Sequence, residues 1–314
     1  MAMAEHLQLA AAAAGRQDEA LAAGRPAAGA DAAEIVKGLA RDLNTDRIEL
    51  PGFPDVVVRL HRALADPDVA AREVVRLVTS EPALAARLLK LANSAAFNKS
   101  GREISDLRMA VTGLGFNNVR SQATVFAVKQ MESQDWLASI RPLLADIWRT
   151  SNAVAALCFG VAKQTSGMQA VAADEAMSAG LFHLIGKLYL YARARQEGID
   201  PQATADWEHA LNDWHPTIAR AILDHWQIPT AIAEAVEGQA AIFEVDNLDL
   251  DPLVRILCGA RLHVGLHQPV GLAGEVDAEE ATAALERISI HGRPFMELAA
   301  AARAEAETMR TAIS

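Results

Sequence analysis

The chain has 314 residues, of which 51% are hydrophobic and 22% are charged, and its formal net charge is −11. This length is enough for one large domain or two smaller ones with a buried core. The acidic balance and the lack of a basic stripe argue against a nucleic-acid-binding surface and against an anionic membrane surface. We therefore expect neither nucleic acid nor membrane among the partners.

Several features of the sequence predict a cytoplasmic protein. No apolar run approaches the roughly 18 residues that a membrane-spanning helix needs, and the longest lies at 153–162. The first residues contain Glu5 and no early Lys or Arg, which makes them a poor secretory signal. Cys158 and Cys258 lie in apolar, helix-like runs outside any CxxC motif, so we expect buried thiols in a reducing compartment.

The first half of the chain begins with an Ala-rich segment and continues with helices. Residues 1–47 contain a flexible break at 24–33, and we expect a loose extension that serves either as a tail or as a functional arm. From 48 to 135, apolar residues recur at helical spacing, which predicts an N-terminal helical subdomain. Gly115 is expected to end one of the helices of this subdomain.

The second half is predicted to be helical as well. Apolar residues recur at helical spacing between 136 and 270, and a C-terminal helical segment follows at 271–314. Pro216 and Pro229 are expected near helix starts, where proline fits best. No sustained alternation of apolar and polar residues indicates a strand. The predicted fold class is therefore all-α, with two packed helical subdomains.

Some patterns that resemble functional sites have simpler interpretations. HVGLH at 263–267 lacks the acid of a zinc protease motif, so we interpret it as a polar helix edge. The acidic stretch at 244–251 lacks the glycine and closing Glu of a calcium loop, which favours a solvated connector. No GxSxG occurs, and neither cysteine lies in a charged, activating context. Nothing here favours a serine or cysteine hydrolase.

Several segments follow one family pattern. SEPALAARLLKLANSAAF at 80–97 has an acidic-Pro-Ala-Leu start, a Leu-rich helix and an Ala-Asn-Ser stop. AGLFHLIGKLYL at 179–190 has a single histidine in an apolar helix. The chain resembles the HDOD family, the HD-related output domain, and the resemblance implies an HDOD domain at 48–270 whose 136–270 part is a degenerate HD domain. The other matching segments are LPGFPDVVVRL at 50–60, ISDLRMAVTGLGFNNVR at 104–120 and the stretch at 207–239.

The resemblance implies that the metal site of a working HD enzyme has been lost. In that superfamily, an early His, an adjacent His-Asp pair and a later Asp hold the metal. The early His falls at Thr150, and the pair falls at His183-Leu184. A His-rich turn of many relatives falls at 237–239, which has no His, whereas His215 matches a His position of the family. A Thr hydroxyl is a weak ligand for a catalytic metal, and Leu is none.

Lys187 follows His183 by one helical turn. Related phosphodiesterases carry a Lys here that contacts phosphate, so the resemblance implies a nucleotide-like anionic ligand if Lys187 faces the pocket. The alternative is a Lys whose stem packs on the helix while its head reaches water. We name Thr150, His183, Lys187 and His215 as candidate ligand-binding residues of a vestigial pocket, and we predict no catalytic residue, no metal and no cofactor.

The resemblance implies a role in bacterial signal transduction. The favoured hypothesis is a non-catalytic regulatory protein that binds a signalling protein or a small ligand. The rival hypothesis is a metal-dependent HD-type phosphohydrolase that acts on a nucleotide or another phosphoester, with a divalent ion near His183 and His215. A third is a structural interaction module whose pocket is filled by its own side chains.

Overall fold

The computed structural model of the chain describes most residues after position 52. Of the predicted extension 1–47 it describes only Gly38, so the expectations for that segment lie outside the described residues. The predicted acidic connector at 244–251 lies mostly outside them as well. For 205–210 the backbone alone is described. The described ranges are 38, 53–66, 68–165, 171–200, 205–243, 250–267 and 278–313.

The first half of the described chain folds around one largely buried helix, α5. Every residue of α5 between Asn118 and Val128 is buried, because α5 packs against α1, α3 and α7. Gly115 sits between α4 and α5 with φ 78°, a conformation that glycine adopts without steric cost, and its predicted role as a helix stop is confirmed. The helices are α1 Asp55–Ala65, α2 Ala71–Thr79, α3 Pro82–Ala92, α4 Leu107–Leu114 and α5 Phe116–Glu132.

The second half is arranged around another buried helix, α6. Every residue of α6 from Ser151 to Ala162 is buried, and α7, α11, α13 and α14 pack around it. Short 3-10 turns lie at Asp135–Ile140 and Gln239–Ala241. The helices are α6 Arg141–Gln164, α7 Ala173–Phe182, α8 Ile185–Gln196, α9 Ala205–His225, α10 Thr230–Gly238, α11 Pro252–His267, α12 Ala278–Arg287, α13 Phe295–Ala301 and α14 Arg303–Ile313.

The all-α fold class is confirmed. Among the described residues, extended structure is confined to a hairpin of β1 Ser289–Ile290 and β2 Arg293–Pro294, paired antiparallel with Ser289 opposite Pro294. The described residues include no helix with the length and hydrophobicity needed to cross a membrane.

Both cysteines are free and buried, as predicted. Burial raises the pKa of Cys258 to about 12, so its thiol stays protonated and unreactive.

Pro216 does not begin a helix, which corrects the sequence prediction. It lies inside α9, which runs without interruption from Ala205 to His225. Proline has no N–H to donate, so the helix loses one backbone hydrogen bond at this point. Burial of the apolar face that follows, with Ile218 and Ile222 fully buried, favours the continuous helix.

The C-terminal helices belong to the same core as the helices before them. Gly160 on α6 lies so close to the junction of α13 and α14 that an added Cβ would stand 3.0 Å from the Ala302 carbonyl oxygen. Met309 and Ile313 on α14 are fully buried, and the Arg87 guanidinium on α3 donates to the Ile313 carbonyl at 2.5 Å. The end of the described chain therefore ties the first half to the second.

A second contact between the halves surrounds His61 on α1. Its ring meets Trp226 edge to face, with ring centroids 5.4 Å apart, and Phe53 stacks on Trp226 at 4.7 Å. His61 Nε2 lies 3.0 Å from the Thr124 hydroxyl on α5. Burial, and secondly the charge of Arg120, lower the pKa of His61 to about 3. The folded protein therefore keeps this imidazole neutral across the physiological range.

Replacing Gly186 by Ala is expected to destabilise the fold strongly. The added Cβ would stand 2.0 Å from the His215 carbonyl oxygen, a backbone atom that cannot turn aside. We expect a loss of about 2–3 kcal/mol in the free energy of unfolding, measured by urea denaturation. The matched control is Gly113→Ala on α4, where an added Cβ meets nothing within 4 Å; there we expect a gain of about 0.5–1 kcal/mol. Equal effects at the two glycines would contradict the close packing of α8 on α9.

His61 is expected to make stability fall as pH decreases. Its pKa is about 3 when folded, against the ordinary 6.5, so between these values the unfolded chain binds a proton that the folded chain does not. The free energy of unfolding should therefore decrease by about 1.4 kcal/mol per pH unit from this group below pH 6.5. Urea denaturation of His61→Gln between about pH 6.5 and pH 5 should give a correspondingly shallower slope. Phe53→Leu removes packing but keeps the imidazole, so it should lower stability without changing the slope, and an unchanged slope in His61→Gln would contradict the assignment.

Candidate functional site

The helical pattern predicted over 136–270 is interrupted at His183 and Leu184. α7 ends at Phe182 and α8 begins at Ile185. The His183 Nδ1 atom lies 2.7 Å from the Gly180 carbonyl oxygen, and because a carbonyl only accepts, Nδ1 carries the proton and Nε2 is left as an acceptor. The Gln239 side-chain amide donates to the His183 carbonyl at 2.8 Å. These bonds supply donors to the Gly180 and His183 carbonyls, at the point where α7 ends and α8 begins.

Close packing of glycines brings α6, α7, α8 and α9 together at this point. A Cβ added to Gly180 on α7 would stand 2.5 Å from the Ala155 Cα on α6. On the other side, Gly186 lies against the His215 carbonyl on α9. No larger residue fits at either position. The approach places His215 beside the start of α8, which also carries Lys187.

Four basic side chains meet beside this junction, and we call His183, Lys187, His215 and Arg261 the basic cluster. His183 and Lys187 are 1% and 3% exposed, and His215 is 3% exposed. Burial, and then Arg261 and Lys187, lower the pKa of His183 to about 3. Burial, Lys187 and Arg261 lower the pKa of His215 well below its ordinary value. The two imidazoles are therefore neutral, and the positive charge of the cluster resides on Lys187 and Arg261.

The surroundings of Arg261 in the basic cluster are polar but, in the described part of the chain, hold no carboxylate paired with it. Arg261 is partly buried on α11 and donates to the Gln239 carbonyl at 3.4 Å, and within the described ranges no acidic side chain forms an ion pair with it. Among the described residues, no group of three or more His, Cys, Asp or Glu side chains is placed so that it could hold a metal ion. The Nδ1 atom of His215 and the Oε1 atom of Gln239 are buried without hydrogen-bond partners. The polar atoms of this site are therefore only partly satisfied by the protein.

Leu184 faces different surroundings from those of His183. It lines an apolar cavity of about 20 Å³, which has room for about one water molecule. The side chain is 2% exposed, and a carboxylate at this position would be surrounded mostly by apolar side chains. The other residues that line the cavity are Thr124, Val125, Val128, Ile147, Trp148, Ser151, Leu181, Phe182, Ile185 and Leu188.

Thr150 lies on α6 and makes its hydrogen bond within that helix. Its hydroxyl donates to the Asp146 carbonyl one turn earlier in α6, at 3.0 Å, and no hydrogen bond among the described residues connects it to His183 or His215. The nearby Asp146 carboxylate is buried and pairs with Arg149 at 3.0 Å. Of the four residues predicted for the pocket, His183, Lys187 and His215 lie close enough for charge to act between them, whereas the Thr150 hydroxyl bonds within its own helix.

Sequence analysis missed Arg261 and gave Gln239 no role in binding. A lone Arg in the apolar run ILCGARLHVGL of α11 was a usable signal, because a charged residue inside a buried helix needs a polar environment. Nothing in the sequence pattern connected it to His183, 78 positions earlier in the numbering. At Gln239 the sequence pattern indicated only that His is absent. It did not predict that the Gln239 amide donates to the His183 carbonyl.

The sequence and the fold can be compared with those of known proteins. An uncharacterized protein of Treponema pallidum (strain Nichols) is 27% identical over 203 residues, which are 61% of this chain and 38% of that protein. The chain thus spans well under half the length of this relative. A proposed metal-dependent phosphohydrolase from Shewanella amazonensis SB2B superposes with a TM-score of 0.66 at 23% identity, covering 91% of this chain and 100% of the other. An HDOD domain protein of unknown function from Geobacter sulfurreducens gives 0.54 at 22% identity, covering 88% and 96%.

These structural matches show a shared helical fold, since their sequence identities are low. The family assignment rests on the sequence itself. The family described as the HDOD domain matches residues 50–242, which is more than half of the 314-residue chain. The matched range contains His183, Lys187, His215 and Gln239, with Arg261 beyond its end. The chain therefore belongs to the HDOD family.

Proposed function

We propose that this HDOD protein is a signal-transduction regulator that works by binding and does not hydrolyse phosphoesters. The observation that carries the proposal is the apolar cavity around Leu184. A catalytic divalent metal needs several N and O ligands, and at this position of the pair the chain supplies hydrocarbon. Thr150 directs its hydroxyl to its own helix. The residues present therefore do not fit a metal of the HD type.

The charge of the basic cluster also opposes a metal ion. A divalent cation between His183 and His215 would have two neutral imidazoles as ligands, with the positive charges of Lys187 and Arg261 beside it. No carboxylate of the described residues pairs with Arg261 to offset that repulsion. Like charges close together in a partly desolvated site raise the free energy of the bound state. The site disfavours a cation on electrostatic grounds as well as by its ligands.

The same arrangement favours an anionic group. Lys187 and Arg261 supply charge, and the neutral imidazoles with the Gln239 amide can donate or accept hydrogen bonds. A phosphate of a nucleotide-like molecule or a carboxylate of a signalling protein has the matching chemistry. In this proposal, binding at the basic cluster takes the place of the catalysis that a metal would have supported.

Metal analysis tests the proposal directly. Protein exposed to Mn²⁺, Fe²⁺ and Zn²⁺ and then dialysed is expected to retain far less than one ion per chain, because ligand number and charge set the affinity. The His183→Ala variant should give the same metal content. Neither protein should hydrolyse bis(p-nitrophenyl) phosphate above the buffer rate. A stoichiometric metal that is lost in His183→Ala, together with hydrolysis, would establish the phosphohydrolase instead.

Leu184→Asp restores the residue of the HD pair and should damage the protein. A carboxylate placed among apolar side chains is desolvated and unpaired, so we expect a loss of about 3 kcal/mol or more in the free energy of unfolding. Leu184→Met is the matched control, since it conserves volume and should cost less than about 1.5 kcal/mol. Both are measured by thermal and urea denaturation, with and without MnCl₂. Full stability of Leu184→Asp in the presence of Mn²⁺ would show that a metal site persists there.

A further inference from the structure

A groove lies apart from the basic cluster, where the end of α1 meets α5 and the turn between α9 and α10. Its volume is about 560 Å³, within the range of about 300–1,000 Å³ that is usual for small-molecule sites. It shares no lining residue with the basic cluster. We call it the Arg120 groove, and its principal lining residues are Arg62, Leu64, Asp66, Arg120, Gln227 and Pro229.

Arg120 is a buried cation at the wall of the groove. Its side chain is 6% exposed, and one guanidinium nitrogen donates to the Leu64 carbonyl at 2.5 Å. The Nε atom is buried and has no acceptor, and throughout the described ranges no carboxylate forms an ion pair with Arg120. Burial lowers the pKa of this guanidinium, but arginine stays protonated in proteins. Desolvated charge of this kind is stabilised by an anion that enters the groove.

The other walls of the groove complement Arg120. Arg62 adds a second guanidinium at the rim, and no described carboxylate pairs with it either. Two such groups suit the oxygens of a phosphate or carboxylate. Gln227 lies at the end of α9 with φ 54°, a position where glycine is usual, and it brings an amide to the groove. Asp66 adds an acceptor for hydroxyl or amino groups, while Leu64 and Pro229 add apolar surface.

We propose that the Arg120 groove binds a small molecule with a phosphate or carboxylate group. The oxyanion faces Arg62 and Arg120, and the hydrogen-bonding remainder of the molecule faces Asp66 and Gln227. This site is separate from the basic cluster, and the proposal does not depend on the function proposed above. A nucleoside monophosphate combines the required features, so AMP is a suitable probe, and succinate tests the carboxylate source.

Isothermal titration calorimetry with AMP, succinate and adenosine tests the groove. The wild-type protein should bind AMP or succinate, and the better of the two identifies the oxyanion, whereas uncharged adenosine should bind far more weakly. Arg62→Ala should weaken binding at least about tenfold, because it removes a charge-assisted hydrogen bond. Arg59→Ala is the matched control on the same helix, since Arg59 pairs with Asp55 and does not line the groove. Its affinity should equal that of the wild type.

A variant of the basic cluster distinguishes the two sites. Lys187→Met should leave binding at the Arg120 groove unchanged, with circular dichroism used to verify its fold. Binding that is lost in Lys187→Met but kept in Arg62→Ala would place the ligand at the basic cluster, and would overturn this inference while leaving the proposed function intact. If neither AMP nor succinate gives a binding heat at concentrations up to about 5 mM, the inference is also overturned. Arg120 would then have only a structural role, as the donor to the Leu64 carbonyl at the end of α1.

Discussion

The close approach of α8 to α9 at Gly186 is the constraint on which the rest of the site depends. An added Cβ at Gly186 would stand 2.0 Å from the His215 carbonyl oxygen, and Gly180 is packed almost as tightly against α6. With two glycines fixed against two different helices, the chain between them has little freedom. That short segment holds His183 and Leu184, and the packing decides which surroundings each of them meets.

His183 and Leu184 are adjacent in the sequence but lie in different surroundings. His183 meets Lys187, His215 and Arg261, where burial and positive charge keep its imidazole neutral. Leu184 lines an apolar cavity between α5, α6 and α8. A divalent ion would need a carboxylate where hydrocarbon now packs, whereas an anion would meet two positive charges. These two environments are the basis of the proposal that the site binds an anionic group in place of a metal ion.

The halves of the chain are joined at more than one place, which matters for how a bound ligand could act. His61, Phe53 and Trp226 pack together across the junction, and Arg87 binds the end of α14 on the other side. The Arg120 groove lies next to the first of these contacts, with walls from both halves. A molecule in that groove would therefore contact α1 and the α9–α10 turn at once, and its binding energy would depend on how the halves are packed.

Much of the fold was predictable because it depends on local periodicity. The spacing of apolar residues determined the helices, Gly115 marked a boundary, and the family pattern placed Thr150, His183, Leu184 and His215 in one frame. The break at His183 and the continuous helix through Pro216 were not predictable, since neighbouring helices decide both. The basic cluster depends still more on tertiary structure: His183, His215 and Arg261 lie far apart in the sequence, and only the packing of α8, α9 and α11 brings them together. The sequence by itself determined the residue types at positions 150 and 184, Thr and Leu, a matter of residue identity. Only the folded protein decided that Lys187 and Arg261 act on His183 and His215, because charges interact through distance and burial and not through order along the chain.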